Sequence, residues 1–252
     1  MAKLSNAKFV KEKVKVLIPM WLIRHVLGVR PTEVLHVGAH LAEERDAYVK
    51  HGFGPLNWIE ASPEAIAVLK QILAKTPDRI WEGAAWDEDG AALKLNHMSN
   101  SQASSVLKPD ELLRTYSEIT QVGSTTVKSL RIDSLSLNFT APLSVFMDIQ
   151  GAEAKALAGM SGIIARVGMI YVEVDYGHLY VGAPAPEQLS EMLRPLGFYP
   201  ALTRMTSKGW GDRIYFNSAF YPLDMNMRLR ILVCRTLFFA SKFMARAKAT
   251  KE

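Results

Sequence analysis

Short apolar runs alternate with amphipathic stretches along the chain from about Glu33 onward. Near-continuous apolar runs are typical of strands that are buried on both faces of a parallel sheet. This rhythm predicts an α/β domain in which helices cover a mostly parallel sheet. The predicted strands are Val34–Val37, Asn57–Glu60, Ile80–Ala85, Thr126–Leu130, Leu143–Ile149 and Met169–Val174.

Apolar residues at helical spacing predict helices between these strands. Ser62 as N-cap and Pro63 in the first turn indicate the start of one helix, which continues to Leu73. The other predicted helices in the body are Leu41–His51, Glu153–Met160 and Pro186–Leu193. The remaining predicted strands are Ala92–Asn96, expected beside the third strand across the Asp87–Gly90 turn, and a closing hairpin of Phe198–Thr203 with Arg213–Asn217.

Positive charge is concentrated at the two ends of the chain. Residues 1–30 and residues 225–252 each carry seven Lys or Arg and one acid, so residues 31–224 hold 16 bases and 23 acids, a net of −7. An acidic body argues against nucleic acid as a partner. We therefore divide the chain into a basic amphipathic N-terminal helical segment (1–30), one enzyme-like domain (31–222) and a basic amphipathic C-terminal helix (223–252).

The amphipathic segments at the ends are Phe9–Leu27 and Met225–Met244. Two interpretations stay open: packing against the body or a second subunit of a homo-oligomer, or resting on anionic lipid as an interfacial helix. In the second segment the basic stripe is Arg228, Arg235, Lys242 and Arg246, and the broad apolar side is Leu229, Val233, Leu237, Ala240 and Met244.

Compartment is suggested by three features of the sequence. The N-terminal stretch lacks the pattern of a signal peptide, and no apolar run reaches the roughly 20 residues that span a bilayer. Cys234 is the single cysteine, which fits a reducing compartment. We expect a cytoplasmic protein, in contact with the inner membrane surface only peripherally.

Polar residues at strand ends are the candidates for chemistry, because ligands of such sheets bind beyond the carboxyl ends of the strands. Gly38 follows the first strand, where it either lets a ligand approach the backbone or forms an ordinary turn. Glu60 ends the second strand roughly 20 residues later, where an acid can accept ribose hydroxyls; a solvated strand-end acid is the alternative. Asp87, beside Trp86, would accept a hydrogen bond from an adenine amino group or only close a turn.

Five motifs follow one another along the chain: Gly38–Leu41, Trp58–Glu64, the Asp87–Gly90 turn, Arg131–Leu135 and Met147-Asp148-Ile149-Gln150-Gly151-Ala152-Glu153. Together they resemble the FkbM family of methyltransferases over roughly residues 33–217. The resemblance implies a class I methyltransferase, Rossmann-like fold with a seven-stranded, mostly parallel sheet and an antiparallel last strand. It also implies S-adenosylmethionine as cofactor and a hydroxyl acceptor, often on a sugar or polyketide.

The resemblance also implies the residues of the cofactor pocket: His36, Gly38, His40, Glu60, Ala61, Ala85, Trp86, Asp87 and Asp148. Two positions depart from the family. The family usually has Asp where this chain has His36, and that Asp commonly helps to orient the cofactor's amino-acid end. It usually has Gly where this chain has Ala42.

Acids at the ends of the fourth and fifth core strands suggest a metal site. Asp148, Glu173 and Asp175 together would hold Mg²⁺, which would bind the acceptor hydroxyl and lower its pKa. Alternatively, Asp148 and Glu153 only anchor loops and cap a helix.

Methyl transfer to a hydroxyl needs a group that removes the hydroxyl proton. His178, just past the fifth core strand, is the first candidate for this base, and an ordinary surface-loop histidine is the alternative. Asp148 is the second candidate, and His97 and His40 are further ones. The polar segment Ser99–Ser105 is a candidate lid.

The leading hypothesis is an S-adenosylmethionine-dependent O-methyltransferase that acts on a hydroxyl of a saccharide or glycolipid. The alternative is a methyltransferase-fold protein without catalysis that serves as a binding or scaffold module, and the departure at His36 motivates it. A third interpretation, a membrane-associated adaptor, explains only the basic ends.

Overall fold

The computed structural model describes residues 17–137 and 140–249, with side chains described through Phe238. Most of the predicted N-terminal helix Phe9–Leu27 lies outside the described residues, and its last part forms a π-helical turn, Leu22–Val26. The α-helices are α1 (Arg45–Lys50), α2 (Pro63–Leu73), α3 (Leu112–Thr115), α4 (Glu153–Ala158), α5 (Pro186–Leu193) and α6 (Met225–Ala249). The strands are β1 (Glu33–Val37), β2 (Leu56–Glu60), β3 (Arg79–Glu82), β4 (Ala84–Ala85), β5 (Ala92–Met98), β6 (Gln121–Leu130), β7 (Leu143–Met147), β8 (Val167–Asp175), β9 (Phe198–Met205) and β10 (Trp210–Asn217).

Seven strands form the main sheet, in the order β3-β2-β1-β7-β8-β10-β9. The first five strands of this order run parallel to one another. The last strand in the chain, β10, inserts between β8 and β9 and is antiparallel to both. This arrangement confirms the fold class expected from the sequence, the class I methyltransferase fold.

The predicted third strand, Ile80–Ala85, is divided between two sheets. β3 pairs with β2 in the main sheet, whereas β4 pairs with β6 in a three-stranded sheet. Gly83 lies at the break with φ +148°, and a Cβ there would come within 2.8 Å of a Leu130 methyl carbon. The predicted place of Ala92–Asn96 beside the third strand is therefore wrong, because β5 pairs antiparallel with β6.

Helix starts follow local chemistry. α2 has the predicted bounds, and the Ser62 hydroxyl accepts the N–H of Ala65 at its N-terminus (3.3 Å). The predicted helix Leu41–His51 begins only at Arg45, because His40 and Ala42 have φ of 44° and 54°, which a right-handed helix does not contain. Residues 38–44 are consequently a loop over the end of β1.

The final helix, α6, packs on the body through one stripe, Met227, Ile231 and Cys234, which are all buried. The sequence predicted a different apolar side. Two of its members, Leu229 and Val233, are exposed, because both sides of α6 carry apolar residues and the body covers only one.

We expect the burial of apolar side chains in the main sheet to make the largest contribution to the free energy of unfolding. Ile59 in β2 is 1% exposed and Ile72 on α2 is 48% exposed. We expect Ile59→Ala to lower the free energy of unfolding by about 2–5 kcal/mol, through lost burial and the cavity it leaves. The matched change Ile72→Ala should alter it by less than about 0.5 kcal/mol. Urea unfolding of the two variants measures both values, and equal losses would contradict this description of the core.

Candidate active site

The carboxyl ends of four neighbouring strands bring the predicted residues to one edge of the sheet. Val37 at the end of β1 is level with Ile59 in β2 and with Met147 in β7. Gly38 donates its N–H to the Ile59 carbonyl (2.9 Å), and Asp148 donates its N–H to the Val37 carbonyl (3.0 Å). Gly38, Glu60, Asp148 and Glu173 therefore lie along the same edge, as the strand-end argument predicted.

Gly38 is required by the contact between two strand ends. Its φ is +89°, and a Cβ at this position would lie 1.9 Å from the backbone oxygen of Asp148. Only glycine lets the chain turn there while Asp148 remains against it. Packing of protein against protein is thus enough to explain this glycine, without a ligand.

Glu60 organises the loop that follows β1. One carboxylate oxygen accepts the N–H of His40 (2.7 Å), and the other accepts the N–H groups of Ala61 (2.9 Å) and Ser62 (2.7 Å). A carboxylate offers about four lone-pair sites. Three are used here, so one acceptor position is free in this arrangement.

The His40 imidazole connects the loop after β1 to the candidate lid. Its Nδ1 lies 2.7 Å from Glu43 Oε1, and its Nε2 lies 2.9 Å from the Ser101 hydroxyl. Burial lowers the pKa of His40, but the hydrogen bond to Glu43 and the charges of Glu43, Glu60 and Glu44 outweigh it and raise the pKa. Part of the predicted lid segment therefore contacts the pocket edge.

A pair of carboxyl groups marks the ends of β7 and β8. Gln150 donates its side-chain N–H groups to Asp148 Oδ1 (2.6 Å) and to Glu173 Oε2 (2.7 Å). Desolvation, the charge of Asp148 and a hydrogen bond to Asp148 raise the pKa of Glu173 well above its usual range. A proton on Glu173, donated in a hydrogen bond to Asp148, is therefore favoured.

Asp148 is exposed at the surface, yet protein packed around its carboxyl group desolvates it and raises its pKa. Burial also raises the pKa of Glu44 to about 8 and that of Glu153 to about 7, and the charge of Asp148 adds to both shifts. Carboxyl groups are thus crowded at this edge in partly protonated form, and a cation bound there would stabilise their ionised forms.

Tyr180 is connected to the carboxyl pair through Gln150. Its hydroxyl lies 2.8 Å from both the Gln150 side-chain oxygen and the Ala103 carbonyl oxygen, and it can donate its one proton to either. Ser105 donates its hydroxyl to the Gln150 backbone oxygen (2.8 Å). Gln150 therefore joins the carboxyl pair to the polar segment above it, and Trp210 lines a small cavity beside Glu173 and Tyr180.

The predicted magnesium ligands do not come together as a set. Asp175 turns away from the pair, because its carboxylate accepts the N–H groups of Gly177 (2.6 Å) and Leu179 (2.7 Å) in the next loop. Within residues 17–137 and 140–249, no group of three or more His, Cys, Asp or Glu side chains is arranged to hold a metal ion. The three-carboxylate magnesium site is therefore a wrong prediction for this structure.

The predicted adenine-binding residues follow β4. Ala85 is buried, and Asp87 accepts a 2.6 Å hydrogen bond from Lys155 Nζ, which lies 5.2 Å from the centre of the Trp86 ring. Gly83 donates its N–H to the Glu60 carbonyl (2.8 Å), which ties this segment to the end of β2.

His178, the first candidate base, is exposed in the loop after β8, with φ 52°. His97, a further candidate, contacts the Thr125 hydroxyl in the three-stranded sheet (2.8 Å). In the described part of the chain, neither histidine side chain is hydrogen-bonded to Asp148 or Glu173. Both roles remain predictions that no contact in the structure supports.

His36 lies in the core, 5% exposed. Its Nδ1 is 2.8 Å from the Tyr48 hydroxyl, and its ring packs against Trp58 and Phe146. Burial lowers the pKa of His36 to about 4. The structure thus assigns His36 to packing within the sheet rather than to the pocket edge.

Sequence reasoning missed Gln150 and Tyr180 as site residues. Gln150 stands in the Asp148–Glu153 motif, with φ 55°, and is the residue that bridges the two carboxyl groups. Its position next to Asp148 was the available signal. Nothing in the local sequence pattern points to Tyr180, because a loop brings it back over β7 and β8.

The strand order and the strand-end site define the chain as a class I methyltransferase in fold. Residues 36–200 match the methyltransferase FkbM domain, which is more than half of the chain. The chain therefore belongs to the FkbM methyltransferase family. A search of the curated proteins finds no match.

Similar solved structures include methyltransferases with different acceptors. The O-methyltransferase TomG from Streptomyces achromogenes is 14% identical, with 79% of this chain and 77% of that chain covered and a TM-score of 0.46. Magnesium protoporphyrin IX methyltransferase from Synechocystis is 11% identical over 79% and 75%, with a TM-score of 0.43. The glycopeptide N-methyltransferase MtfA is 12% identical over 78% and 88%, with a TM-score of 0.41. Similarities this low give no information about the acceptor of this chain.

The depressed pKa of His36 makes stability depend on pH. Its folded pKa of about 4 lies below the ordinary 6.5, so the unfolded chain takes up the proton first. Stability should fall as pH drops from about 6.5 towards 4, by roughly 2–3 kcal/mol at about pH 4.5. Urea unfolding near pH 7.5 and about pH 4.5 should show a smaller loss for His36→Asn than for the native chain. His97→Asn is the control and should keep the native pH dependence; an unchanged loss in His36→Asn would contradict the assignment.

Proposed function

We propose that this chain transfers a methyl group from S-adenosylmethionine to a hydroxyl of a saccharide or glycolipid. The observation that carries the proposal is the Asp148–Glu173 pair at adjacent strand ends of a FkbM-family fold. The pair provides a proton acceptor where the ligands of such sheets bind.

The donor pocket fits a cationic ligand. S-adenosylmethionine supplies, when bound, an electrophilic methyl group on a sulfonium, together with an ammonium group. Glu44 lies within the loop after β1, and Glu60 and Asp148 lie beside it. Burial first, and then the charge of neighbouring acids, raise the pKa values of Glu44 and Asp148. Positive charge beside them would stabilise their ionised forms.

Glu60 would hold the ribose of the donor through its free acceptor position. Since three backbone N–H groups already use its oxygens, gripping both ribose hydroxyls requires one of those bonds to be released. The N–H of His40 is the one that a shift of loop 38–44 would free. Asp87 and Trp86 would then face the adenine end.

Asp148 would take the proton of the acceptor hydroxyl. The hydroxyl oxygen forms its bond to the methyl carbon as the carbon–sulfur bond breaks, with the electron pair left on sulfur and the proton on Asp148. The Gln150 side chain holds Asp148 in place, and the protonated Glu173 donates to it. A base with a raised pKa is better matched to neutral pH than an ordinary aspartate.

A saccharide suits the acceptor side because that side combines an aromatic face with polar groups. Trp210 can pack against the apolar face of a sugar ring, while Glu173 and the Tyr180 hydroxyl can hydrogen-bond its hydroxyls. The family resemblance, which often involves sugar acceptors, supports the same choice. A glycolipid would present such a ring at a membrane surface.

Donor binding is the first test. Calorimetric titration with S-adenosylmethionine and S-adenosylhomocysteine should show micromolar binding, and Glu60→Gln should weaken it about tenfold to a hundredfold. Glu82→Gln, an exposed acid in the neighbouring strand β3, is the matched control and should bind as the native chain does. No binding by a chain shown to be folded by circular dichroism would reject the enzyme and favour a binding or scaffold module.

Proton removal is the second test. With the first acceptor found among glycans and glycolipids by transfer of a labelled methyl group, Asp148→Asn should lower kcat roughly 10²–10⁴-fold. His178→Gln should leave kcat within about threefold. The reverse pattern, a loss in His178→Gln alone, would transfer the role of base to His178.

A further inference from the structure

The C-terminal helix α6 carries two apolar faces, and the body covers one of them. Met227, Ile231 and Cys234 are buried at 7%, 7% and 0% exposure and join the large core cluster with Leu27 and Phe216. Their spacing of four and three residues places them on one side of the helix. That side fixes α6 to the protein.

The opposite side of α6 is an exposed apolar stripe. Met225, Leu229, Leu232 and Val233 are 81%, 58%, 59% and 41% exposed. Positions i, i+4, i+7 and i+8 form one continuous helical face. Single exposed leucines are ordinary, but a contiguous apolar stripe marks a surface that contacts something other than water.

Arginines border this stripe on both sides. At 3.6 residues per turn, Arg228 and Arg235 lie along one border and Arg230 lies along the other. Their guanidinium groups donate to carbonyl oxygens: Arg228 to Leu223, Arg235 to Ala201 and Arg230 to Leu27. Among the described side chains, none of the three arginines forms an ion pair with a carboxylate.

The charge of the whole helix has one sign. Residues 225–249 contain six Lys or Arg and no Asp or Glu. A second copy of α6 packed on the stripe would therefore bring like charges together along both borders. An anionic lipid surface is the complementary occupant, because apolar side chains enter its interfacial layer while arginines bind lipid phosphates.

We propose that α6 rests in the interface of an anionic membrane, with its stripe Met225–Leu229–Leu232–Val233 facing the lipid and its buried side holding the body. Among the residues that the structure describes, no helix has the length and apolar character that a membrane span needs. The proposal is independent of methyl transfer, because it concerns a surface apart from the strand-end site.

Vesicle binding of the full chain tests the proposal without donor or acceptor. The native chain should co-sediment with phosphatidylcholine vesicles that contain phosphatidylserine, and much less with phosphatidylcholine alone. The double change Leu229→Glu/Leu232→Glu should weaken binding to the anionic vesicles by about tenfold or more. Arg228→Gln/Arg235→Gln should reduce the preference for anionic lipid, and added salt should weaken binding by the native chain.

Matched controls separate the stripe from general charge effects. Leu196→Glu changes another exposed leucine, 48% exposed, and should bind vesicles as the native chain does. All altered side chains are exposed, and urea unfolding verifies that each variant is folded. Equal vesicle binding by the native chain and the double leucine variant would overturn the proposal. So would a stable dimer in sedimentation velocity that the double leucine variant converts to monomer, since the stripe would then bind a second copy.

Discussion

The close approach of β1 and β7 at their carboxyl ends is the contact on which the site depends. Gly38 has no side chain, so the backbone of Asp148 can lie where a Cβ would otherwise be. That contact fixes the first residue after β7 beside the loop after β1, and the parallel register carries Glu60 and Glu173 to the same level. A larger residue in place of Gly38 would push the ends of β1 and β7 apart. Asp148 would then lie farther from Glu60 and from Glu173. The position of one missing side chain therefore determines which acids meet.

Bringing those acids together has an electrostatic consequence. Desolvation raises the pKa values of Asp148, Glu173 and Glu44 in the absence of a compensating base, apart from the His40 imidazole at the edge of the group. The hydrogen bonds of Gln150 make this tolerable, because an amide can donate to two carboxyl groups that share one proton. A neutral, rigid bridge keeps the pair reactive, whereas a lysine at that position would form an ion pair with Asp148 and hold it ionised.

Sequence patterns predicted the strands whose place in the fold depends on burial. They failed where two strands, or two sets of hydrogen-bonding groups, compete for the same segment or side chain. Apolar runs identified β1, β2 and β7, and with them the strand-end residues Gly38, Glu60 and Asp148. The run Ile80–Ala85 looked like one strand because its pattern does not reveal that β4 leaves β2 for β6. Asp175 was expected to join Glu173, but amide groups of its own loop satisfy it, and such local competition is invisible to strand-end counting. Periodicity likewise assigned one broad apolar side to α6, which includes Leu229 and Val233, and missed the stripe Met227, Ile231 and Cys234 that the body covers.

The two departures from the family, His36 and Ala42, lie in different places. Neither one removes a carboxyl group from the strand-end site. His36 has its ring among Tyr48, Trp58 and Phe146, so the exchange of Asp for His changes packing inside the sheet. Ala42 has φ 54°, which explains why the family uses glycine there: an alanine in that region costs roughly 1–2 kcal/mol of backbone strain. Desolvation acts on Glu43 in the same loop, but the hydrogen bond and the charge of His40 outweigh it and lower the pKa of Glu43, so Glu43 can supply the negative charge that an Asp would bring. A loop that keeps its strained turn and an ionised acid supports the proposed enzyme over a scaffold.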